Sequence, residues 1–321
     1  MSSVSLHQID VDAYAHEVLP QTAALWSAGR DFRTYVSHNL EIANGRYGRR
    51  HFRTFGLFDA KRMVSSFKHY DRAMHLGTQR LRAFGIGAVF TPPEYRGRGY
   101  AGVMLATALD RARAAGYDIA FLFSDIRPQF YSLLGFTELP SHEIVLRADT
   151  LPSVRLAPEW LSERDWRGVQ RCYELGERSR AAGFLRTPLV WEYVRVRLRQ
   201  DGEGGDGTQT HLVVRHGRGV GAYVLGARIP QRDAYVVHEF GFAGASSAQA
   251  IPALLRAAAG DLRRIVGWLP PEGAREALPK GSLRRRKHAI FMAAPLSLRG
   301  KRLVRVLAGA TADGCWHADH V

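Results

Sequence analysis

The chain has 321 residues, of which 46% are hydrophobic and 23% charged, and its formal net charge is +15 at pH 7. This length exceeds the usual size of a single hydrophobic core, so we expect two domains of roughly 150 residues each. No stretch approaches the roughly 20 apolar residues that a membrane-spanning helix needs, and the first residues lack a secretion signal. We therefore expect a soluble, cytoplasmic protein that does not act at membranes.

The positive charge would attract phosphate groups, whether in nucleic acid or in a phosphorylated cofactor. The basic residues are mostly arginines scattered through both halves, which is typical of a coding bias and not of a nucleic-acid-binding surface. The two cysteines, Cys172 and Cys315, lie far apart and match neither a disulfide framework nor a CxxC metal motif. We expect no nucleic-acid partner, no metal and two free thiols.

Hydrophobic periodicity predicts antiparallel strands followed by a β-α-β-α-β succession in the first half, which indicates an α+β or mixed α/β sheet and not a regular doubly wound one. The predicted elements are, in chain order, a helix (13–28), a basic loop (29–50), strands (51–59, 62–76 and 79–90), a helix (96–116), a strand (119–123), a helix (127–134) and closing strands (136–146).

A linker rich in proline and small residues at 148–158 divides the chain into predicted domains 1–150 and 151–321. The second half repeats the succession of hairpin, strand, helix and strand. Its predicted elements are helices (163–180, 188–200 and 248–264), a glycine-rich turn (201–210) and strands (211–215, 220–228, 234–242, 265–269 and 288–294). We therefore predict two similar domains in tandem, each with a mostly antiparallel mixed sheet flanked by helices.

A glycine- and arginine-rich turn, residues 95–102, joins the strand at 79–90 to the following helix. Gly97 and Gly99 let successive backbone N–H groups point inward, and the helix N-terminus adds its dipole. Arg96 and Arg98 add positive charge. This turn predicts a pyrophosphate site. The corresponding turn of the second half, 242–247, lacks the arginines and the paired glycines, so we expect one such site per chain.

The same turn, from Gly97 to Gly102, also satisfies GxGxxG, the dinucleotide fingerprint, and Asp118 or Asp125 lies near the spacing of a ribose-binding acid. The context disfavours a dinucleotide-binding enzyme, because an antiparallel hairpin and two prolines precede the turn. The chain contains no GxxxxGK[ST] P-loop motif.

The segment 85–136 resembles the GCN5-related N-acetyltransferase (GNAT) superfamily in two motifs about thirty residues apart. The family's Arg/Gln-x-x-Gly-x-Gly/Ala motif is met by Arg96, Gly99 and Ala101, and its Phe-Tyr-x-x-x-Gly-Phe motif by Phe130, Tyr131, Gly135 and Phe136. The whole chain further resembles the tandem branch that includes the Eis-like aminoglycoside acetyltransferases, with an active first and a degenerate second domain. It is shorter, without most of their sterol-carrier-like C-terminal domain.

The resemblance implies direct transfer of an acetyl group from acetyl-CoA to a primary amine. It assigns Tyr131 as the general acid and Ser124, where the family often has asparagine, as a cofactor contact. It also implies a bulge near the strand end that offers an N–H group to the thioester carbonyl. The remaining implied cofactor contacts are Val89, Thr91, Arg96, Gly97, Arg98, Gly99, Tyr100 and Ala101.

The catalytic base is left open. The resemblance to the Eis-like branch implies the terminal carboxylate of Val321, while Glu239 beside His238, and His69 with Asp71, are alternatives that could face a cleft between the domains. The acceptor is either a small-molecule amine or an amine of a protein or peptide, and the basic balance of the chain disfavours polycations. A non-catalytic acyl-CoA-binding or regulatory module is the alternative function, and the protein is either a monomer or an oligomer.

Overall fold

The computed structural model describes residues 4–125, 128–153, 158–202, 207–217 and 219–321. Two eight-stranded mixed sheets carry helices on their faces, which confirms the predicted tandem mixed α/β architecture. Within these described ranges, no helix is both long and apolar enough to cross a membrane. Cys172 and Cys315 are buried free thiols, as predicted.

The first half contains the following elements. The helices are α1 (Val11–Ala13), α2 (Leu19–Trp26), α3 (Phe32–Asn44), α4 (Arg46–His51), α5 (Tyr100–Ala114) and α6 (Pro128–Ser132), with a π-helical turn (Tyr14–Val18) between α1 and α2. The strands are β1 (Val4–Ile9), β2 (Phe52–Asp59), β3 (Arg62–Leu76), β4 (Gln79–Phe90), β5 (Ile119–Ser124), β6 (Thr137–Glu138) and β7 (His142–Arg147).

The second half follows the same plan with additions. The helices are α7 (Trp166–Arg178), α8 (Pro188–Gly202), α9 (Ala245–Ala248), α10 (Ile251–Ala259) and α11 (Leu298–Ala308). The strands are β8 (Glu159–Trp160), β9 (Ala182–Leu185), β10 (Thr208–Gln209), β11 (Leu212–His216), β12 (Gly219–Ile229), β13 (Ala234–Phe242), β14 (Arg264–Trp268), β15 (Ser282–Arg285) and β16 (Ile290–Pro295). The sequence patterns did not predict β1 in the first half, or β8, β9, β10, β15 and α11 in the second. β10 occupies the end of the predicted glycine-rich turn (201–210).

The basic loop predicted at 29–50 is wrong, because α3 and α4 occupy it. Asp31 begins α3, where its carboxylate accepts the N–H of Thr34 at 2.9 Å. Gly48 lets α4 pack closely, since a Cβ at this position would lie 1.9 Å from the carbonyl oxygen of Ile42. The segment contains so many arginines and other polar residues that its hydrophobic periodicity does not indicate these two helices.

The two sheets exchange strands between the halves. The first sheet has the order β1-β2-β3-β4-β5-β16-β6, with β9 also paired to β3. The second has the order β15-β7-β14-β13-β12-β11-β8, with β10 also paired to β12. Each half therefore completes the sheet of the other. The division at residues 150 and 151 stays a prediction, and the predicted linker includes residues 154–157, which lie outside the described ranges.

The centre of the first sheet is covered on both faces. Phe121 on β5 and Phe291 and Met292 on the neighbouring β16 are fully buried. Such strands are continuously apolar because neither face meets water. In the second sheet Tyr223, on β12, and Tyr235, on β13, are fully buried in the same way.

Candidate active site

The first sheet opens at the carboxyl ends of β4 and β5. These strands pair in parallel as far as Ile86 opposite Leu122. Beyond this pair, β4 continues to Phe90 and β5 to Ser124 with no further β4–β5 pair among the described residues. The strands therefore diverge. We call the gap between residues 87–90 and 123–124 the wedge.

A β-bulge lies beside the wedge. The register of β3 against β4 shifts between Ser66 and Lys68, where residues 88–89 of β4 face a single residue of β3. Ala88 has a φ of 47°, which is strained for a residue that carries a Cβ. A bulge leaves its extra residue out of the hydrogen-bond ladder, so this segment has a backbone N–H that β3 does not use. The bulge predicted beside Val89 is present.

Thr91 ties the end of β4 to its surroundings. Its hydroxyl oxygen lies 2.9 Å from the hydroxyl oxygen of Ser65 on β3. The Ser65 hydroxyl also donates to the carbonyl of Phe90 at 2.8 Å. The carbonyl of Thr91 accepts the Nε–H of Arg96 at 3.0 Å. The strand end and the following turn are thus held together by side chains.

The predicted phosphate turn has the shape that an anion requires. Gly97 and Gly99 have φ angles of 76° and 80°, and no described atom lies within 4 Å of a Cβ built at either position. Glycine is therefore required by the backbone conformation and not by crowding. The first N–H groups of α5, from Tyr100 onward, have no carbonyl partner within the helix. Arg96 and Arg98 are exposed beside them. This open, positively charged turn fits a pyrophosphate.

Tyr100 has a structural role in this turn. Its hydroxyl donates to Asp59 on β2 at 3.1 Å, and its ring meets Tyr95 edge-on at a centroid distance of 6.3 Å. Arg98 lies 5.9 Å from the ring centroid of Tyr95. Tyr100 and Ala101, both half-buried at the start of α5, can therefore reach a phosphate only through their backbone N–H groups.

Ser124 ends β5 at the wedge, and Tyr131 lies on α6, the helix that follows β5 in the chain. Burial, and then the negative charge of Asp125, raise the pKa of Tyr131 to about 12. The phenol is therefore protonated at neutral pH and able to donate a proton. Ser124 is buried at the end of β5, opposite Ile290 of β16. Residues 126–127, which connect the two, lie outside the described ranges.

The last residues of the chain enter the wedge. A Cβ built at Gly87 would lie 3.3 Å from the carbonyl carbon of Val321 and 3.0 Å from Cε2 of Tyr70. The ring of His320 lies 5.0 Å from that of Phe123, at the end of β5. Residues 320–321 thus lie between the diverging strand ends. A side chain at position 87 would crowd Val321 out of this position.

A buried ion network holds this C-terminal segment. Asp319 Oδ1 accepts hydrogen bonds from Arg72 at 3.0 Å and Arg186 at 2.9 Å. Arg186 also contacts Glu239 at 2.5 Å, and the hydroxyl of Tyr223 donates to Glu239 at 2.6 Å. All four charged side chains are at most 1% exposed. Since Arg72 lies on β3 and Glu239 on β13, the network joins both sheets through the C-terminal segment.

Glu239, one of the candidate bases, belongs to this network. It is fully buried, and Tyr223 and Arg186 each contact one of its carboxylate oxygens. Burial raises the pKa of Glu239, against the opposing effect of Arg186. These are the surroundings of a structural ion pair. The catalytic role of Glu239 stays a prediction, and its environment does not favour it.

The candidates on β3 face the other side of the sheet, because alternate residues of a strand point to opposite faces. His69 stacks on Phe84 at a centroid distance of 4.1 Å, and burial lowers the pKa of His69 to about 4. Asp71 lies 3.2 Å from the Nδ1 of His51. The residues of β3 that share a face with the C-terminal segment are instead 70 and 72.

The acids required by the dinucleotide alternative have other partners. Asp118 accepts the backbone N–H of Arg82 at 3.0 Å and the hydroxyl of Ser297 at 2.8 Å. Asp125 accepts the backbone N–H of Ala289 at 3.0 Å. Both carboxylates therefore fasten the first half to the second, and neither is arranged to bind a ribose.

Sequence reasoning missed Asp319, Arg72 and Arg186. Asp319 lies 247 residues from Arg72 and 133 from Arg186, so no local spacing connects them. The signal in the sequence was two charged residues in apolar or aromatic surroundings. Arg72 lies in a strand that is otherwise mostly buried, and Asp319 lies in an aromatic tail. Such charges indicate buried pairing, but they do not identify the partner.

Residues 10–139 match the family model described as an acetyltransferase (GNAT) domain. Among curated proteins, no sequence matches the chain.

Solved structures share its fold over almost its full length. A probable N-acyltransferase of unknown function from Enterococcus faecalis V583 is 14% identical with a TM-score of 0.74, over 94% of this chain and 74% of that one. Eis1 from Mycobacterium abscessus is 13% identical with a TM-score of 0.58, over 92% and 74%. A tandem GNAT protein from the clavulanic acid biosynthesis pathway is 12% identical with a TM-score of 0.53, over 92% and 99%. At these identities the likeness concerns the fold.

Proposed function

Because residues 10–139 form a GNAT acetyltransferase domain within a tandem GNAT fold, we propose that this protein transfers an acetyl group from acetyl-CoA to a primary amine. The observation that carries the proposal is the position of the wedge, the bulge and the phosphate turn at one end of β4. One chain segment thereby offers an anion site and unpaired backbone donors a few residues apart. We propose one active site per chain, in the first half.

Acetyl-CoA supplies the activated acyl group and a thiolate leaving group. The turn from Arg96 to Ala101 binds its pyrophosphate through backbone N–H groups and the two exposed guanidinium groups. Val89 and Thr91, at the end of β4, pair with its extended arm, and Ser124 contacts it from the β5 side. The N–H left free by the bulge faces the carbonyl whose charge increases during transfer.

Tyr131 acts as the general acid. Its pKa of about 12 keeps the hydroxyl protonated at neutral pH, so that it donates its proton to the departing thiolate. Tyr131→Phe removes this proton and keeps the ring. We expect the variant to bind acetyl-CoA as the wild type does and to lose at least 100-fold in kcat, the usual range for acid–base catalysis being about 10² to 10⁴.

The terminal carboxylate of Val321 is the base that we propose, because Val321 lies beside Gly87 and the bulge. Appending a single glycine after Val321 moves the carboxylate and keeps the buried ion network. We expect lower kcat with unchanged affinity for acetyl-CoA. Equal activity of the extended chain would assign the base elsewhere.

The first test is binding. Acetyl-CoA, and not NAD, should raise the melting temperature of the protein, by mass action on the folded state. Stabilisation by NAD alone would overturn the cofactor assignment. The second test is turnover, followed by mass spectrometry of a small-molecule amine and peptide library incubated with acetyl-CoA. Binding without any acetylated product would favour the non-catalytic acyl-CoA-binding module.

A further inference from the structure

The proposed contacts of the acyl donor fix its direction along β4. Its pyrophosphate lies at the turn 96–101 and its extended arm at Thr91 and Val89, so the donor runs along β4 toward lower residue numbers. Its thioester carbonyl faces the N–H group left free by the bulge at residues 88–89. The acyl group therefore points past the bulge, toward Gly87 and the closed end of the wedge.

The closed end of the wedge is a paired sheet. Gly85 pairs with Phe121 and Ile86 with Leu122, in a parallel ladder that joins β4 directly to β5. Strands paired in this way lie only about 4.8 Å apart, and their backbone hydrogen bonds fill this distance. An acyl chain that reaches this end cannot pass between the strands, so it has to turn toward one face of the sheet.

The face that carries the C-terminal segment is filled at this end. At Gly87, the carbonyl carbon of Val321 and Cε2 of Tyr70 lie 3.3 and 3.0 Å from the position of a Cβ. At Gly85, Cζ of Phe121 lies 2.7 Å from that position. Alternate residues of a strand share a face, so both glycines lie on this side of β4. The C-terminal residue and two aromatic rings occupy the space that their missing side chains leave.

The β5 side of the same face is closed by a second group of rings. The ring centroid of Phe123 lies 5.0 Å from that of His320 and 5.1 Å from that of Phe291 on β16. Val321 packs against the hydrophobic cluster that contains Phe123 and Phe291. Strands from both halves and the C-terminal segment therefore surround the place where the acyl group ends.

The opposite face of the sheet is filled as well. Phe84 and Ile86 of β4 and Leu122 of β5 belong to the hydrophobic cluster that α5 covers. Met104 and Leu105, on α5, are fully buried in this cluster. Protein interiors are close-packed, and additional methylene groups force their side chains and backbone out of place. A long acyl chain is therefore excluded from this face.

We propose that the site selects the short acyl groups acetyl and propionyl, and that Phe123, His320 and Val321 set this limit. An acetyl group ends beside Gly87, whereas each further carbon extends the chain into space that these residues occupy. The C-terminal segment thereby determines which donors the first half accepts. This inference rests on the proposed acetyl transfer, because that proposal supplies the direction of the donor.

Calorimetry with a series of donors tests the limit without an acceptor. The probes are CoA and its acetyl, propionyl, butyryl and hexanoyl thioesters. We expect acetyl-CoA and propionyl-CoA to bind within about threefold of each other, and hexanoyl-CoA to bind at least tenfold more weakly than acetyl-CoA. Hexanoyl-CoA that binds as tightly as acetyl-CoA would overturn the chain-length limit alone. Failure of every probe to bind, CoA included, would contradict the proposed cofactor site and the limit with it.

Two variants should move the limit in opposite directions. Phe123→Ala removes one wall, so hexanoyl-CoA should then bind within about threefold of acetyl-CoA. Gly87→Ala adds a methyl group beside Val321 and should weaken propionyl-CoA at least tenfold more than it weakens CoA. The control is Gly221→Ala on β12 in the second sheet, where a Cβ would lie 3.0 Å from the ring of His216. It should leave the relative affinities of the series unchanged.

A loss of core packing in Phe123→Ala is separated from the change in selectivity by two further variants. Leu254→Ala, on α10, removes a buried side chain from the other core cluster. It should lower the melting temperature and keep the affinity ratio of hexanoyl-CoA to acetyl-CoA. A chain that lacks Val321 opens the closed end and keeps Phe123, so it should raise this ratio at least fivefold. An unchanged ratio in the shortened chain would overturn the role of the C-terminal segment, even if Phe123→Ala does not fold.

Discussion

We expect Asp319→Asn to destabilise the protein by about 3 kcal/mol and to lower turnover more than affinity for acetyl-CoA. Asp319 is fully buried and accepts hydrogen bonds from Arg72 at 3.0 Å and Arg186 at 2.9 Å. Removing one partner of a buried ion pair costs about 3–5 kcal/mol, and we take the lower end because asparagine keeps an acceptor oxygen. Arg186 retains Glu239, whereas Arg72 loses the only ion pair described for it.

The loss corresponds to a melting temperature about 4–5 °C lower, because an unfolding entropy of about 2.1 cal/mol/K per residue gives about 1.5 °C per kcal/mol for a chain of 321 residues. Activity should fall because residues 320–321 lose the anchor that holds them in the wedge, while the phosphate turn is distant from the change. Calorimetry, urea unfolding and steady-state kinetics measure the three effects. The control is Asp110→Asn, which removes an exposed pair with Arg113 and should cost at most about 0.5 kcal/mol.

The pH dependence gives this prediction a second test. Burial acts to raise the pKa of Asp319, but Arg186 and Arg72 outweigh it, and the pKa lies below the usual range. The unfolded state therefore binds its proton first as pH falls, so the stabilisation is complete above about pH 4, the unfolded value, and is lost below it. The gap between wild type and Asp319→Asn should be constant from pH 5 to 8 and shrink below pH 4. A gap under about 1 kcal/mol at pH 7, or unchanged kcat, would refute the reasoning.

The other predictions concern the turn, β3 and the strand exchange. Gly99→Ala should weaken acetyl-CoA binding at least tenfold in isothermal calorimetry, because a residue with a Cβ disfavours the φ of 80° at this position. The control is Gly77→Ala, which also has a positive φ and open space around the Cβ. It should lower stability by a similar amount and leave the affinity for acetyl-CoA unchanged. Burial, followed by Arg197, lowers the pKa of Lys68 to about 7, so the unfolded state holds more protons between pH 7 and 10 and stability from this group rises with pH there. Lys68→Met should thus have a larger free energy of unfolding in urea than the wild type, with the largest difference at pH 6 and the smallest at pH 10. A difference that does not change with pH would contradict this. The fragment 1–150 lacks β16 and should show no cooperative melting by circular dichroism until it is mixed with 151–321; a cooperative transition of the fragment alone would be evidence against the strand exchange.

The sequence predicted local elements well where a regular pattern and punctuating residues coincide. β4 has the predicted bounds, 79–90, because its apolar run stops at two prolines, and β13 has the predicted bounds, 234–242. The bulge beside Val89 came from the family resemblance and not from the pattern. The pair α3 and α4 was missed, because its buried face is narrow and its polar residues resemble those of a loop.

The arrangement of distant parts could not be predicted in the same way. β7 belongs to the first half of the sequence and β16 to the second, but each strand pairs in the sheet of the other half. Nothing in the composition of either strand indicates this pairing. Likewise, the partners of Asp319 are more than a hundred residues away. Local periodicity reports which face of an element is buried, and it does not report what buries it.

The strand exchange also explains why the second half matters although it lacks a phosphate turn. β16 pairs with β5 up to Ser124, so it fixes the strand that forms one side of the wedge. The chain then runs through α11 to the C-terminal segment, which enters the wedge at Val321. Glu239, on the second sheet, contacts Arg186, which binds Asp319 of this segment. The second half thus supplies one wall of the proposed active site and positions residues 320–321. A substitution in its sheet is therefore expected to lower turnover without touching the proposed acyl donor.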